Sequence, residues 1–250
     1  MLPDPEDRPD LTEAVIRPVR GHHAFESCVE QLGTAIRLGV YPRGTTLPSE
    51  RDLAARMNVS RATLREAMAA LREAGLVETT RGRGGGTVVT LKPRTHSARA
   101  AARVPARTRQ AWLDALVYRR VVEPGAAYVA AQQAADGALS DEQRAQLESA
   151  LAEVAAADRA GEHRQADSRF HLTLATVSGS PHLVEAVTAV QSSLNEMLLA
   201  IPVLEANIGH SDRQHAAVVR AVLAGKPDRA RRVMEEHCDD TAALLRGLVG

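Results

Sequence analysis

The stretch from Leu47 to Val77 constrains the fold more than any other part of the chain. Ser49 and Ser60 are good helix N-caps, and each precedes a run with apolar residues at helical spacing. Asn58 stands between the runs, and asparagine tolerates the left-handed backbone of a tight turn. The pattern predicts two helices joined by a turn, the second from about Arg61 to Ala74. Such a helix-turn-helix presents the start of its second helix to base edges in the major groove of DNA.

Two short β-type runs follow, at residues 77–80 and 87–91, and they flank the glycine-rich basic segment 81–86. A helix-turn-helix followed by a hairpin is a winged helix. Glycines let the backbone approach phosphates closely, and the two arginines of the tip add positive charge. The alternative interpretation is a small helical core with a surface hairpin.

Charge is distributed unevenly along a chain whose net charge is zero. Residues 25–109 carry fifteen Lys and Arg against seven Asp and Glu, whereas residues 110–250 carry thirteen against nineteen. A basic front and an acidic back are typical of a nucleic-acid module joined to a domain of another kind. The two cysteines show no framework spacing, and no apolar run is long enough for a membrane span. We therefore expect a reduced, cytoplasmic protein with no membrane partner.

The composition predicts a mostly α fold, because aromatics are only 2% and Ala, Leu, Glu and Arg are abundant. We expect four segments: a disordered tail at 1–22, a winged-helix domain at 23–91, a basic linker at 92–108, and an all-α domain at 109–250. Predicted breaks divide the last segment into six or seven amphipathic helices. They fall near Pro124, Gly137, Gly161, Gly179, Pro202 and Gly225. The linker is either a solvated tether or a source of further phosphate contacts.

Four residues of the all-α segment have the chemistry of a metal site. Asp167 and His171 are four residues apart on one predicted helix and so share a face. His215 and His237 fall on the last two predicted helices. One carboxylate and three imidazoles suit a divalent transition metal, with zinc first and nickel or manganese as alternatives. The competing interpretation is surface pairing, and His163 is a rival or supporting member of the group.

The motifs Leu47-Pro-Ser-Glu-Arg-Asp-Leu-Ala and Val59-Ser-Arg-Ala-Thr-Leu-Arg-Glu-Ala resemble the DNA-binding domain of the GntR family of bacterial transcription regulators. The resemblance covers about residues 25–91. It implies a homodimer that binds a pseudo-palindromic operator in double-stranded DNA. Operator contacts implied by the family pattern are Arg51, Ser60, Arg61, Thr63, Arg65 and Gly82, with Arg81 and Arg83 flanking the wing tip.

The all-α segment resembles the FCD effector domain of the FadR-type branch of that family. The motifs are Arg119-Arg-Val-Val-Glu-Pro-Gly, Asp167-Ser-Arg-Phe-His, Gln214-His-Ala-Ala-Val-Val-Arg and Ala230-Arg-Arg-Val-Met-Glu-Glu-His. The resemblance implies that Asp167, His171, His215 and His237 bind a metal beneath a pocket for a small organic acid.

Arg119 matches the anion clamp of such domains, because a guanidinium can grip a carboxylate with two hydrogen bonds. An ion pair with Glu123 is the alternative, and Arg120 could then take the role. Asn195 and Ser178 are weaker candidates for effector contacts. Ser178-Gly-Ser180 departs from the family pattern, which often has Asn after the glycine, and this puts one polar pocket contact in doubt.

Together these features predict a homodimeric transcription repressor, not an enzyme, that responds to a small carboxylate at a metal site. Two alternatives remain at this point. In one, the metal is purely structural and clamps three helices. In the other, the chain is a metal-dependent hydrolase tethered to DNA, although no second acid or base is obvious near the ligands.

Overall fold

Helices make up most of the computed structural model, which describes residues 10–19, 24–80, 86–91, 106–200 and 205–249. The chain forms two compact units. Residues 10–91 belong to the first and residues 106–249 to the second. This division agrees with the prediction of a small mixed domain followed by an all-α domain.

The first unit contains four helices and a two-stranded sheet among its described residues. The elements are α1 (Leu11–Val15), α2 (Ala24–Arg37), α3 (Glu50–Met57), α4 (Arg61–Glu73), β1 (Val77–Thr79) and β2 (Thr87–Val89). The strands are antiparallel, with Val77 opposite Val89. The buried side of α4 meets α2, α3 and β1, and its buried residues are Leu64, Ala67, Met68 and Leu71. This is the predicted winged helix-turn-helix.

The turn between α3 and α4 is held by the residues that predict it. Ser49 Oγ accepts a hydrogen bond from the backbone N–H of Asp52, and Ser60 Oγ accepts one from that of Thr63. Asn58 ends α3 in the left-handed conformation, with φ of 53°. Each of these caps depends on residues within four positions, so local chemistry determines where α3 begins and ends and where α4 begins.

Helix α1 lies inside the segment for which we expect disorder, so that prediction is wrong for residues 11–15. Asp10 caps the helix by accepting from the N–H of Glu13. Val15 and Ile16 are buried, and the N–H of Val19 donates to the carbonyl of Met57. The apolar run is too short to show a helical period, and packing against the first unit supplies the stability that the isolated segment lacks.

The second unit is a bundle of six helices within residues 106–200 and 205–249. They are α5 (Ala106–Ala135), α6 (Asp141–Ala156), α7 (Ala160–Val177), α8 (Pro181–Ala200), α9 (Glu205–Leu223) and α10 (Pro227–Val249). Pro181 and Pro227 begin their helices as predicted, and Ser140 forms the predicted capping box with Gln143. No helix in the described part of the chain has the length and apolar character that crossing a membrane requires.

Helix α5 differs from the sequence prediction at both its start and its middle. It begins at Ala106, within the predicted linker, and it continues through Pro124, where we expect a break. Proline removes one helical hydrogen bond. The residues around it are nevertheless buried, including Val122, Glu123 and Ala126, because α10, α8, α9 and α7 all pack against this helix. Tertiary burial therefore outweighs the local breaker, and the result is a 30-residue helix in contact with four other helices of the bundle.

Candidate functional sites

The exposed start of α4 carries the predicted DNA-contacting residues. Arg61 and Arg65 are exposed, while Thr63 is half-buried beside the Ser60 cap. The Arg65 side chain is 65% exposed, with Nε 3.7 Å from Glu50 Oε2. Surface pairs of this kind are weak, so the guanidinium can be transferred to a phosphate or a base edge.

Arg51 lies on the first turn of α3 with its side chain 78% exposed. Asp52 beside it has a lowered pKa, because its carboxylate accepts a hydrogen bond from Ser49. Arg81, Gly82 and Arg83, the predicted contacts at the wing tip, lie outside the described residues.

Three histidines converge in the interior of the bundle. His171 comes from α7, His215 from α9 and His237 from α10, and each is at most 2% exposed. One ring nitrogen from each lies within 4.8 Å of the others. Asp167 borders the group, with Oδ1 3.5 Å from His215 Nε2 and Oδ2 4.0 Å from His171 Nε2. The structure thus brings together the four residues that the sequence predicts as metal ligands.

Both ring nitrogens of His215 and Nε2 of His171 lack hydrogen-bond partners among the described residues. Leaving a buried polar atom unsatisfied costs about 1–3 kcal/mol, so native structures rarely do so without a reason. Burial lowers the pKa of His215 to about 3 and holds that of His237 well below its ordinary value. Neutral imidazoles are the form that ligates a metal. Convergent ring nitrogens, in a group where burial favours the neutral form of His215 and His237, are therefore a donor set that fits a divalent metal.

A buried ion pair on α5 adjoins the histidines. Arg119 Nε donates to Glu123 Oε2 at 2.9 Å, and Arg119 Nη2 lies 2.9 Å from His237 Nε2. Arg119 Nη1 has no hydrogen-bond partner in the described part of the chain. Burial opposes both charges, but each charge stabilises the other, so the pKa of Arg119 is raised and that of Glu123 is lowered. The site therefore holds a permanent guanidinium with a free terminal nitrogen.

Glu123 is the hub of this pair. Its Oε1 accepts from Gln191 Nε2 at 2.6 Å, and its Oε2 lies 3.1 Å from His171 Nδ1. Cys238 Sγ is 3.7 Å from the same oxygen, and burial raises the pKa of this thiol. The carboxylate that pairs with Arg119 thus also orients a candidate metal ligand, an arrangement common around metal-bound histidines.

On its other side, His237 contacts a series of hydrogen-bonded polar side chains that leads to the surface. Gln214 Oε1 is 3.2 Å from His237 Nδ1, and Gln214 Nε2 donates to Asp240 Oδ2 at 2.7 Å. His210, half exposed, lies 2.8 Å from the same Asp240 oxygen. Gln214 is therefore in a position to fix the orientation of the His237 ring.

The remaining predicted effector contacts lie elsewhere. Arg120 forms ion pairs with Glu235 at 3.3 Å and Asp239 at 2.8 Å. The hydroxyl of Ser178 donates to the carbonyl of Ala175 at the end of α7. Asn195 is half-buried on α8, one turn beyond Gln191. Of the four predicted effector residues, Arg119 contacts the histidine cluster, through His237.

Sequence reasoning missed Gln191 and Gln214 and treated Glu123 only as a possible partner of Arg119. Gln191 interrupts a buried face of α8 that is otherwise apolar at helical spacing, with Val184, Val187 and Leu194. A lone amide on such a face was the available signal. Gln214 gives no comparable signal, because its role depends on where α10 passes.

Two family models match the chain, one over each unit. The model described as bacterial regulatory proteins, gntR family, matches residues 25–89, and that of the FCD domain matches residues 114–240. The first covers the winged helix, and the second covers about half of the chain, including every residue of the histidine site.

Curated relatives carry regulator names. The chain is 32% identical to the HTH-type regulator RmpR of Mycobacterium gastri, covering 85% of this chain and 76% of that protein. It is 34% identical to the L-lactate dehydrogenase operon regulatory protein of Escherichia coli K12, covering 78% and 75%. It is 30% identical to the transcriptional repressor NanR of Klebsiella aerogenes, covering 93% and 89%. Escherichia coli McbR/YncC shares the fold, with a TM-score of 0.54 at 16% identity over 92% of this chain and 100% of that structure.

Proposed function

The chain belongs to the GntR family of bacterial regulatory proteins and carries an FCD domain, and we propose that this DNA-binding transcription regulator is a homodimeric repressor controlled by a divalent metal and a small carboxylate. Regulators, not enzymes, are the proteins it resembles, so the hydrolase alternative is set aside. The observation that carries the proposal is the meeting of unsatisfied imidazole nitrogens with an unsatisfied guanidinium nitrogen in one buried site.

The unsatisfied imidazole nitrogens suit a metal ion, whereas the unsatisfied guanidinium nitrogen suits an anion. His171, His215 and His237, with Asp167 at their border, would hold the metal, and zinc suits an N and O donor set of this size. A bound divalent metal would supply positive charge and a coordination position for a carboxylate oxygen. Arg119 Nη1 would donate to the same carboxylate. A metal that only clamps helices would leave this nitrogen unexplained, which favours a sensor over a structural site.

Control of DNA binding requires that the effector bind the operator-bound and free states with different affinity. Two copies of the winged helix would read the two halves of a pseudo-palindrome. The name of the repressor NanR supports repression as the outcome. The name of the lactate-operon relative suggests hydroxycarboxylates as the first compounds to test.

The effector half of the proposal is tested by thermal unfolding of the full-length, chelator-treated protein. Trp112, the only tryptophan of the chain, packs in the bundle with Leu116, Leu194 and Met197, so its fluorescence reports on the effector domain. Zinc, nickel and manganese are added singly and then with acetate, L-lactate or citrate. A ligand at one hundred times its Kd stabilises by about 2.7 kcal/mol. A shift with metal, increased by one acid, supports a sensor, and a shift with metal alone supports a structural metal.

The DNA half is tested with operators selected from random duplexes. Arg65→Ala should weaken binding to the selected operator by about 1–3 kcal/mol, while binding to random DNA changes less. Arg43→Ala, an exposed arginine in the turn after α2, is the matched control. Equal discrimination between operator and random DNA by wild type and Arg65→Ala would show that Arg65 does not contact the bases of the operator. Sedimentation with and without operator measures the proposed dimer.

A further inference from the structure

The hydrogen bonds around His237 determine which of its nitrogens carries the proton. Asp240 can only accept, so the amide nitrogen of Gln214 must face it, and Gln214 Oε1 must face His237 Nδ1. An amide oxygen only accepts as well, so Nδ1 carries the hydrogen. A guanidinium nitrogen can only donate, so His237 Nε2 accepts from Arg119 Nη2, 2.9 Å away, through its lone pair.

A metal bound through His237 Nε2 requires that same lone pair. An imidazole nitrogen has one lone pair, in the plane of the ring, and cannot accept a hydrogen bond and ligate a metal at once. Nδ1 is no substitute, because it donates to Gln214. In the described structure, the guanidinium of Arg119 thus occupies the position on His237 that a metal would take.

Displaced from His237, Arg119 would remain in the site. Its Nε keeps the hydrogen bond to Glu123 Oε2, which anchors the guanidinium to α5. Nη1 already lacks a hydrogen-bond partner among the described residues, and Nη2 would lose its hydrogen bond to His237 Nε2. The two terminal nitrogens form the edge of a guanidinium that matches a carboxylate with two parallel hydrogen bonds.

We propose that Arg119 makes anion binding conditional on the metal: it donates to His237 Nε2 in the metal-free protein, and metal binding at His237 frees its Nη1–Nη2 edge to take a carboxylate. This inference rests on the proposed metal site and adds the order of events there. The metal does not merely sit beside the effector pocket, because it creates the guanidinium edge that the effector uses.

The charges of the site act in the same direction. The charges of Arg119 and Glu123 balance each other. A carboxylate that entered the metal-free site would bring an unbalanced negative charge close to Asp167 and pay the desolvation cost of a buried ion. A divalent cation reverses this balance. Charge and hydrogen bonding therefore both favour anion binding only after the metal.

The test uses full-length protein, Zn²⁺ and acetate, with affinities measured by calorimetry. Zn²⁺ affinity is determined in competition with a chelator, and acetate affinity is measured with and without Zn²⁺. The key variant is Arg119→Met combined with Glu123→Gln. It removes the competing donor and leaves the net charge of the site unchanged, and Glu123→Gln alone measures what the lost contact between Glu123 and His171 Nδ1 contributes to the change in Zn²⁺ affinity. Arg246→Met, at an exposed arginine in the last turn of α10, is the matched control.

We expect wild type to bind acetate at least tenfold more tightly with Zn²⁺ than without. The double variant should bind Zn²⁺ about tenfold more tightly than wild type, because no donor has to leave His237. Its acetate affinity should depend on Zn²⁺ less steeply than that of wild type, because only the charge and the coordination position of the metal remain to attract the anion. The control should match wild type in both measurements.

Two results would overturn the inference and leave the metal site intact. One is equal or weaker Zn²⁺ binding by the double variant. The other is an unchanged effect of Zn²⁺ on acetate, which would mean that acetate responds to the metal alone. If neither wild type nor the folded double variant binds Zn²⁺, the proposed metal site itself is refuted together with this inference. Arg119→Lys is the second variant, for use if the double variant does not fold. It keeps a cation beside Glu123 but has no planar edge, so it too should lose the coupling.

Discussion

Removing Arg119 alone should destabilise the bundle more than removing Arg119 and Glu123 together. Both side chains are at most 2% exposed, so neither charge can be solvated by water when its partner is lost. At a charge separation of about 4 Å and an effective dielectric constant of about 20, their attraction is about 4 kcal/mol. Breaking such a pair on one side typically costs about 3–5 kcal/mol, whereas replacing both members is often close to neutral.

The measurement is urea unfolding of chelator-treated protein, followed by Trp112 fluorescence. Four proteins form a double-mutant cycle: wild type, Arg119→Met, Glu123→Gln, and the two changes combined. Arg119→Met should lower the free energy of unfolding by about 3–5 kcal/mol. The combined variant should lie within about 1 kcal/mol of wild type, since Gln at position 123 keeps an oxygen for Gln191.

A surface pair provides the control. Arg159 pairs with Glu162, and their side chains are 79% and 40% exposed. Arg159→Met should therefore cost no more than about 1 kcal/mol for the lost ion pair. A cost below about 1 kcal/mol for Arg119→Met, or additivity of the two buried changes, would refute the argument that Arg119 and Glu123 stabilise each other inside the bundle.

Three further predictions concern the histidine site and its frame. His215→Ala should weaken Zn²⁺ binding by more than about 100-fold in competition calorimetry, because even residues that only support metal ligands contribute about 10–100-fold. His182→Ala, at the exposed start of α8, is the control and should leave the Zn²⁺ Kd unchanged. Gly225→Ala should destabilise the bundle more than Gly137→Ala in urea unfolding. Both glycines have positive φ, but only at Gly225 would an added Cβ lie 2.9 Å from a backbone atom, the Cα of Ala135. Equal effects of the two changes would show that only the strain in φ, about 1–2 kcal/mol, matters. Metal-free protein should lose stability as the pH falls below about 6.5, because the pKa of His215 is about 3 in the folded state and the unfolded chain takes up this proton first. The slope from this histidine is at most about 1.4 kcal/mol per pH unit, and unfolding curves at pH 7, 6 and 5 that coincide would contradict it.

The helix-turn-helix could be predicted closely because its determinants are local. Ser49, Asn58 and Ser60 each act on a backbone group within three or four residues. The positions of the four candidate ligands were predictable for the same reason. Helical spacing places Asp167 and His171 on one face of a helix, and the turn before Pro227 places His215 and His237 on separate helices. Nothing beyond periodicity and capping was needed for these parts.

Elements that depend on distant partners could not be predicted in this way. Pro124 marks a break by every local rule, yet α5 continues through it because four helices pack around it. The contact between Arg119 and His237 joins residues 118 positions apart, and it exists only because α10 lies along α5. Sequence spacing could name both residues as members of one site, but the competition between guanidinium and metal for a single nitrogen follows only from their packing.

The buried polar residues of α5, Arg119 and Glu123, are better explained by function than by stability. A bundle of this size is stabilised by its apolar cluster, and a buried ion pair adds little or nothing to stability relative to apolar side chains of similar volume. The same core leaves Arg119 Nη1, His171 Nε2 and both ring nitrogens of His215 without hydrogen-bond partners among the described residues. Stability alone would favour leucine or methionine at Arg119 and Glu123. A core that instead retains a guanidinium and three convergent imidazoles is arranged for a cation and an anion, and this is why we expect the binding of the two ligands to be coupled.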